Sequence, residues 1–463
     1  MYKVIVRILK FILPNTVRNA LINWIFVLLP GWISHYSVKK YTFPAIPNKE
    51  YLFAIPESLS FGDPLIYFEY ARLLSEEQKR HVLVIIPPID MYRAFVEFFF
   101  GNIEYHIYSE PLYDLLVGKF QKLRAITSNF GRNMNIFICR ELRVRLEGEG
   151  YTVVKTYETN YDESKDENFL AIKDKRGNFA KAYIELNKRD NKYLAMEKFW
   201  SLVFRNSSRD PESYPGYSQF EKDKLLTILG ITRKYVCLHI REYDAFYGSK
   251  YNQFSETDPR SVRSIENYIP AIRFLIERGY QVVRVGYRSD NKFPQFDGFI
   301  DYSNSEFQNP KNDIYLCSSC SFFIGSKSGI GVLPFLFERP ILGLNYTSLY
   351  NMLWIPELRY VFKTIVKKDG TIISLEEFLN HEVFFSQFAD AYNRNGLKTV
   401  DLDSEIILEA TKEVVTLVED PLTEWTAYSD LQRRFREMIR PEHMELYRTK
   451  AVPCNCYLRR VME

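Results

Sequence analysis

The residues with the clearest chemical potential lie in one short stretch, "VCLHIREYDAFYG", which runs from Val236 to Gly248. Apolar residues give way there to His239, Arg241 and Asp244 in H-x-R-x-x-D spacing. The planar, permanently charged guanidinium of arginine suits the oxygens of a phosphate. An ion pair between Arg241 and Asp244 that steadies a loop is the simpler alternative, because such pairs are common. The motif alone leaves both interpretations open.

A second stretch, "FFIGSKSGIGVLPFLFE", is rich in serine and glycine where a strand pattern changes to a helix pattern. Ser326, Ser328, Gly329 and Gly331 lie at this junction. Small residues let backbone N–H groups approach a phosphate, and a helix N-terminus favours negative charge. The spacing is neither G-x-G-x-x-G nor a Walker motif, and plain N-capping by serine is the alternative. Together with Arg241, the loop predicts a diphosphate site.

Chemistry at a diphosphate site can also need a base that activates an attacking hydroxyl, and a carboxylate can serve. "PESLSFGDP" offers Glu57 and Asp63, which we expect after the first strand. Asp63 precedes Pro64, so N-capping of the next helix is an alternative role for it. Arg132 in "SNFGRN" is a further candidate.

The sequence predicts no metal and no cofactor. "DLD" at Asp401–Asp403 has D-x-D spacing, but it opens a predicted helix, where acidic residues complement the helix dipole. Cys317 and Cys320 have C-x-x-C spacing without a second pair or a histidine at zinc-site spacing. Small buried side chains on one helix face explain the pair.

Alternating strand and helix patterns must position these residues. "EYLFAIPE", "RHVLVIIPP" and "IEYHIYS" read as strands separated by helices, and "KYVCLHIRE", "YQVVRVG", "FDGFIDYS", "SFFIGS" and "RPILGLN" repeat the rhythm. The predicted fold class is α/β, with two Rossmann-like domains facing a cleft. Such sheets bind ligands at the carboxyl ends of their strands, where His239, Arg241 and Asp244 fall.

The predicted domains are a helical membrane-associating segment at 1–40, an acceptor-side domain with linker at 41–215 and a nucleotide-sugar domain at 216–400. A helical tail at 401–463 is expected to pack back across the first domain. Two domains suit the 463 residues, and 35 Phe and 33 Tyr can fill large cores. A net charge of only +3 argues against a nucleic-acid partner.

The first 49 residues carry seven basic and no acidic side chains. They include "NALINWIFVLLPGWISHY", which is apolar and aromatic but is broken by asparagines and Pro30-Gly31. We expect an interfacial element on an anionic membrane surface, with a helix packed on its own domain as the alternative. The predicted location is the cytoplasmic face of the inner or plasma membrane.

The region from Tyr235 to Leu379 resembles bacterial glycosyltransferases of surface-polysaccharide gene clusters, through "HIREYDAFY" and "FFIGSKSGIGVLPFLFE" with the sequence between them. The H-x-R-x-x-D element and the Ser/Gly loop also resemble fucosyltransferases of the α1,6 and protein-O types, which have GT-B folds and act without metal. The resemblance implies that Arg241 contacts the donor diphosphate. It also implies that Ser326 to Gly331 cradle the distal phosphate, with Asp313 close by. Relatives tend to carry Arg-Asn where this chain has Arg263-Ser264.

The resulting prediction is a metal-independent bacterial glycosyltransferase in polysaccharide biosynthesis. It would transfer a sugar from a nucleotide-sugar to a glycan or lipid-linked oligosaccharide. Two alternatives stay open. One is a polysaccharide pyruvyl transferase, whose members tend to have Arg-Leu-His where this chain has "GSKSG". The other is a non-catalytic scaffold that binds glycan or lipid.

Overall fold

The structure is a computed structural model, and it describes the chain in ten ranges together with Val38. The ranges are 51–56, 62–86, 90–101, 105–107, 138–154 without 140, 210–242, 258–348 without 290, 357–385, 389–439 without 421, 423 and 426, and 451–463. Apart from Val38, the predicted membrane-associating segment lies outside the described residues. None of the helices in these ranges has the length and apolar character that a membrane crossing needs.

The chain divides into two compact units. The first contains Met1–Asn160, Lys198–Ser208 and Glu212–Tyr217, and the second contains Tyr161–Glu197, Arg209–Pro211 and Ser218–Glu463.

The first unit has a four-stranded parallel sheet in the order β3-β2-β1-β4. The strands are β1 Leu52–Ala54, β2 Val82–Ile86, β3 Tyr105–Ile107 and β4 Thr152–Val153. Helix α1, Gly62–Gln78, connects β1 to β2, and α2, Asp90–Phe100, connects β2 to β3; residues 141–148 are also helical. All residues of β1 and β2 are buried, as expected for parallel strands whose faces are both covered.

The second unit has a seven-stranded sheet in the order β13-β10-β9-β8-β5-β6-β7, and all its neighbouring strands are parallel. The strands are β5 Tyr235–His239, β6 Gln281–Arg284, β7 Phe299–Ile300, β8 Phe322–Gly325, β9 Ile341–Tyr346, β10 Leu358–Phe362 and β13 Val452–Pro453. An antiparallel pair, β11 Thr364–Lys367 with β12 Leu397–Val400, stands apart from it.

The described helices of this unit begin before β5 and continue to the end of the chain. They are α3 Gln219–Ile228, α4 Ile269–Glu277, α5 Pro310–Ser319, α6 Val332–Leu336, α7 Leu375–Leu379, α8 Ala389–Arg394, α9 Ser404–Glu419, α10 Asp430–Glu437 and α11 Asn455–Met462. The main core joins β5, β6, β8 and β9 to α4 and α9, with Leu238, Ile272 and Ile407 fully covered.

The order of the strands places a topological switch point at β5. From β5 the chain adds β6 and β7 on one side and then returns to the other side with β8 and β9. Open α/β sheets bind ligands at the carboxyl ends of the strands where the order reverses. The carboxyl ends of β5 and β8 are therefore the expected ligand edge of this unit.

The predicted fold class is confirmed as mixed α/β with parallel sheets in two units. The described part of the tail belongs to the second unit, and its predicted course across the first domain stays a prediction. Helix α9 packs against α4, and β13 pairs with β10, so the tail completes the second sheet. The physical reason is the apolar face of α9, whose Ile407, Ala410 and Val414 cover that sheet.

Candidate functional site

The two stretches predicted to bind phosphate meet at the switch point. His239 pairs in register with Gly325, and the backbone N–H of Ser326 donates to the His239 carbonyl at 3.1 Å. The Ser326 hydroxyl in turn accepts a hydrogen bond from the backbone N–H of Arg241 at 2.6 Å. These reciprocal bonds fix the residues after β5 against the loop after β8. The structure thus brings Arg241 and the serine/glycine loop to one place.

A carboxylate outside the sequence motif orients Arg241. The Arg241 guanidinium donates to Asp258 Oδ2 at 3.2 Å. The Arg260 guanidinium donates two hydrogen bonds of 2.9 and 2.8 Å to the same carboxylate. Burial alone would raise the pKa of Asp258, but the bonds and charges of the two arginines outweigh burial and lower it. Asp258 is therefore ionised at neutral pH and holds both guanidinium groups.

Lys327 adds a third basic group to this place. Burial lowers the pKa of its ammonium well below the usual value, and the charge of Arg260 lowers it further. We call Arg241, Asp258, Arg260 and Lys327 the cation cluster. Among its described groups the two arginines outnumber the one carboxylate, so these groups carry net positive charge even when Lys327 is neutral. Such a cluster suits a polyanionic ligand.

The serine/glycine loop differs from the predicted helix N-terminus. Gly329–Gly331 form a 3₁₀ turn, and the α-helix that follows, α6, has only five residues. Ser328 precedes the turn, but its side chain makes no capping bond. A Cβ at Gly331 would meet no atom within 4 Å. Ser328 therefore does not cap the helix through its side chain. Because a 3₁₀ turn precedes a helix of only five residues, the helix dipole contributes less to anion binding than the sequence predicted.

His239 is a buried, neutral histidine at the edge of the site. Burial lowers the pKa of its imidazole to about 4, and the charges of Arg241 and Arg284 act in the same direction. Its Nδ1–H donates to the Val285 carbonyl at 3.2 Å, while Nε2 has no hydrogen-bond partner among the described residues. Gly286 permits this packing, since its φ is +108° and a Cβ there would lie 2.6 Å from Nδ1.

Asp313 lies in the first turn of α5 and is fully buried. Burial raises the pKa of its carboxyl to about 8, although Tyr302, Gln308 and the Gly286 backbone N–H oppose that rise. Gln308 Nε2 donates to its Oδ2 at 3.4 Å. Through Gly286, the carboxyl lies near His239 at the same sheet edge. Asp313 is therefore a group whose protonation changes near neutral pH.

The "DLD" stretch has two separate structural roles. Asp403 caps α9 by accepting from the Ile406 N–H at 3.0 Å, as predicted for this stretch. Asp401 instead accepts from the Arg263 N–H and from Lys363 Nζ, each at 2.6 Å. It thereby braces the segment that follows Arg260 in the cation cluster.

The structure describes only some of the other predicted site residues. Glu57, Arg132 and Asp244 lie outside the described residues. Helix α1 begins at Gly62, so Asp63 lies inside the first turn and not at the N-cap. Asp63 belongs to the first unit, whereas the cation cluster belongs to the second.

Sequence reasoning missed Asp258, Arg260 and Lys327. The only local signals were the "DPR" tripeptide at 258–260 and a lysine within "GSKSG". The cation cluster offers one carboxylate held by two arginines, which is a poor ligand set for a metal cation.

Neither a family model nor a curated protein matches the chain. Among solved structures, it resembles E. coli ADP-heptose LPS heptosyltransferase II, with a TM-score of 0.43 and 14% identity over 80% of this chain and 99% of that one. It also resembles a glycosyl transferase of family 9 from Veillonella parvula, with a TM-score of 0.41 and 10% identity over 81% and 99%.

A third similar structure is TibC from E. coli, an iron-containing dodecameric glycosyltransferase. Its TM-score is 0.38 and its identity 15%, over 81% of this chain and 77% of that one. These TM-scores and identities are too low to identify a fold family or an activity.

Proposed function

We propose that the chain is a GT-B-type glycosyltransferase whose nucleotide-sugar donor binds at the carboxyl ends of β5 and β8. One observation carries the proposal: the Ser326 hydroxyl accepts a hydrogen bond from the Arg241 backbone N–H at 2.6 Å, so Arg241 lies beside the serine/glycine loop at the switch point. The neighbouring Arg260 adds positive charge where a diphosphate would lie, and the buried Lys327 would gain a proton when phosphate binds.

The chemistry follows from that charge. When the bond between the sugar and the diphosphate breaks, negative charge builds up on the leaving phosphate. Preorganised cations stabilise this charge without reorganising, because Asp258 already holds both arginines. Arg241 and Arg260 offer planar forks for phosphate oxygens, and Lys327 offers a point charge. Transfer would then proceed without a metal.

The direct test is a panel of nucleotide-sugars incubated with the full-length chain, with release of the nucleoside diphosphate as the readout. One donor should be hydrolysed slowly without acceptor, and Arg241→Ala should abolish its turnover. Arg278→Ala, which changes a surface arginine paired with Glu419 in the same unit, should retain it. Turnover of the Arg241→Ala variant at the wild-type rate would refute the proposal. No turnover of any donor would favour the binding scaffold.

The acceptor base is assigned to Glu57 or Asp63 as part of the same proposal. Asp63→Asn and Glu57→Gln should each leave nucleoside diphosphate binding unchanged, and the variant that lacks the base should lose transfer to an acceptor. Equal transfer rates in both variants and the wild type would remove both residues from the mechanism.

We also propose that the acceptor is a lipid-linked glycan at an anionic membrane surface. The support is the sequence of the first 49 residues, with seven basic side chains, no acidic ones and an aromatic-rich apolar run. Full-length protein should float with anionic liposomes and be loosened by salt, whereas a chain without residues 1–40 should not float. Equal flotation of both proteins would place the segment in the protein core.

A further inference from the structure

A group of potential metal ligands lies next to β13, the edge strand of the second sheet. Cys454, Cys456 and Glu413 bring two thiols and a carboxylate together, with the ligand atoms all within 4.8 Å of one another. Cys454 is buried, and Cys456 is partly exposed. Among the described residues no other group of three histidine, cysteine or acidic side chains meets this distance.

All three residues come from the C-terminal tail, and the two cysteines follow β13. Strand β13 pairs with β10, and the Cys454 N–H continues the ladder by donating to the Tyr360 carbonyl at 2.9 Å. Helix α11 begins at Asn455, so Cys454 occupies its N-cap position, although its side chain makes no capping bond. The two thiols therefore flank the start of a helix whose first residues are fixed.

Glu413 faces these thiols from α9 and is itself held in place. Its Oε1 accepts from the Asn455 N–H at 2.8 Å, and its Oε2 accepts from the Cys456 N–H at 3.0 Å. Each carboxylate oxygen keeps a further lone pair. Hydrogen bonds of this kind orient ligating carboxylates in metal sites.

A buried cation completes the charge balance. Arg359 lies on β10 beside β13, with its guanidinium donating to the Trp425 carbonyl at 2.6 Å. Burial lowers the pKa of Arg359, and the charges of Cys454 and Glu413 oppose that change, which places all three near one another. Two thiolates and one carboxylate exceed the charge of a divalent metal by one. The Arg359 guanidinium supplies the missing positive charge.

We propose that Cys454, Cys456 and Glu413 bind a divalent, thiol-preferring metal such as Zn²⁺. Zinc takes thiolate at about 2.3 Å and carboxylate at about 2.0–2.2 Å, in tetrahedral geometry. Binding requires side-chain rotations that bring the three ligand atoms, now within 4.8 Å of one another, onto one metal ion. Because Cys456 is partly exposed, water would supply the fourth ligand. The metal ties α11 and β13 to α9, so it stabilises the tail.

The site is separate from the proposed donor site. Strand β13 lies four strand positions from β5 in the sheet, or about 19 Å at a spacing of about 4.8 Å. The metal therefore has a structural role, and its presence does not depend on the proposed transferase activity.

The test uses the full-length chain, reduced, stripped of metal by a chelator and then titrated with Co²⁺. One equivalent of Co²⁺ should produce a thiolate-to-cobalt charge-transfer band, and Zn²⁺ should abolish it by displacement. Competition with a chromophoric chelator then gives the zinc affinity. Cys456→Ala should lower that affinity by more than the roughly 10–100-fold that loss of a second-shell partner costs. Cys139→Ala, in the other unit, should not change it.

Thermal unfolding gives a second readout that does not depend on colour. Zn²⁺ should raise the melting temperature of the wild type and of Cys139→Ala but not that of Cys456→Ala. The proposal is overturned if one equivalent of Co²⁺ gives no thiolate band, or if Cys456→Ala binds Zn²⁺ like the wild type. A peptide mass that shows Cys454 and Cys456 joined by a disulfide in freshly prepared, metal-free protein would also overturn it.

Discussion

Two groups of charged residues lie at the carboxyl ends of the strands of the second sheet, and they differ in the ratio of basic to acidic side chains. In the cation cluster, Arg241 and Arg260 share the Asp258 carboxylate, and the buried Lys327 lies near Arg260. In the second group, which we call the Glu242 cluster, the buried Glu242 pairs with Arg284 and accepts from Ser289 at 2.5 Å and from Asn291 at 2.7 Å. Arg284 also reaches Asp301 at 3.3 Å.

The comparison separates a structural network from a ligand site. Arg284 and Glu242 are only 3% and 2% exposed, and the carboxylates in their cluster outnumber the base. Such a closed network has no charge left for an anion and serves to hold the ends of β5 and β6 together. Among the described residues, the cation cluster combines two arginines with one carboxylate at the switch point. The ratio of bases to carboxylates among the described groups, and not the presence of arginine alone, distinguishes the proposed ligand site.

The largest expected effect is on the Glu242 cluster. Arg284→Met should lower the free energy of unfolding by about 3–5 kcal/mol, because it leaves Glu242 buried without its cation. Urea unfolding measures this, and Arg278→Ala at the surface should cost less than about 1 kcal/mol. Adding Glu242→Gln to Arg284→Met should recover part of the loss. A small effect of Arg284→Met alone would mean that the Glu242 cluster is not a closed structural network.

The next effect concerns the pH dependence of stability. The pKa of Asp313 is about 8 in the folded chain against about 3.9 unfolded, so the folded state binds the extra proton between these values. The protonated Asp313 carboxyl makes its full contribution to the free energy of unfolding below about pH 4, and this contribution is lost as the pH rises to about 8. The slope reaches about 1.4 kcal/mol per pH unit.

Asp313→Asn should remove that slope. Its unfolding free energy relative to the wild type should therefore be higher at pH 8 than at pH 5 in urea denaturation. Asp297→Asn, at an exposed position, provides the control and should show no such change. Parallel pH profiles for wild type and Asp313→Asn would show that the carboxyl titrates alike in the folded and unfolded chains.

A smaller effect should appear at Lys327. A bound phosphate should raise the pKa of its ammonium, which burial lowers in the empty site, so binding should take up protons and weaken as the pH rises. Calorimetry in two buffers of different ionisation enthalpy measures this uptake. Lys327→Met should abolish it and cost about 1.5 kcal/mol of affinity, while Lys311→Met at the surface should change neither. Proton uptake that persists in Lys327→Met would assign it to another group.

Much of the second sheet could be predicted from sequence, because its strands are short apolar runs with clear limits. The buried "YVCLH" and "FFIG" segments became β5 and β8, and the polar residues behind them reached the ligand edge. Strand β13 could not be predicted, because its two residues, Val452 and Pro453, are too few to show the alternation of side chains that identifies a strand. Its place next to β10 depends on tertiary packing.

The site itself was only half predictable for a similar reason. Arg241 and Ser326 follow strands, so their common edge follows from parallel pairing. Asp258 and Arg260 reach Arg241 from a distant segment that Asp401 and Lys363 brace, and no local pattern encodes that contact. The sequence also offered Asp244 as the partner of Arg241, whereas the carboxylate that the structure describes there is Asp258.

The central claim is that the cation cluster binds the diphosphate of a nucleotide-sugar, and one calorimetric measurement tests it most directly. Full-length chain in EDTA is titrated with GDP, UDP, CDP and ADP. One of them should bind at one site per chain, and Arg241→Ala should weaken that binding by about 1.5–3 kcal/mol, or roughly 10–150-fold. Arg278→Ala should bind like the wild type. Binding that needs Mg²⁺ or Mn²⁺, or that is equally tight in Arg241→Ala, would contradict the claim.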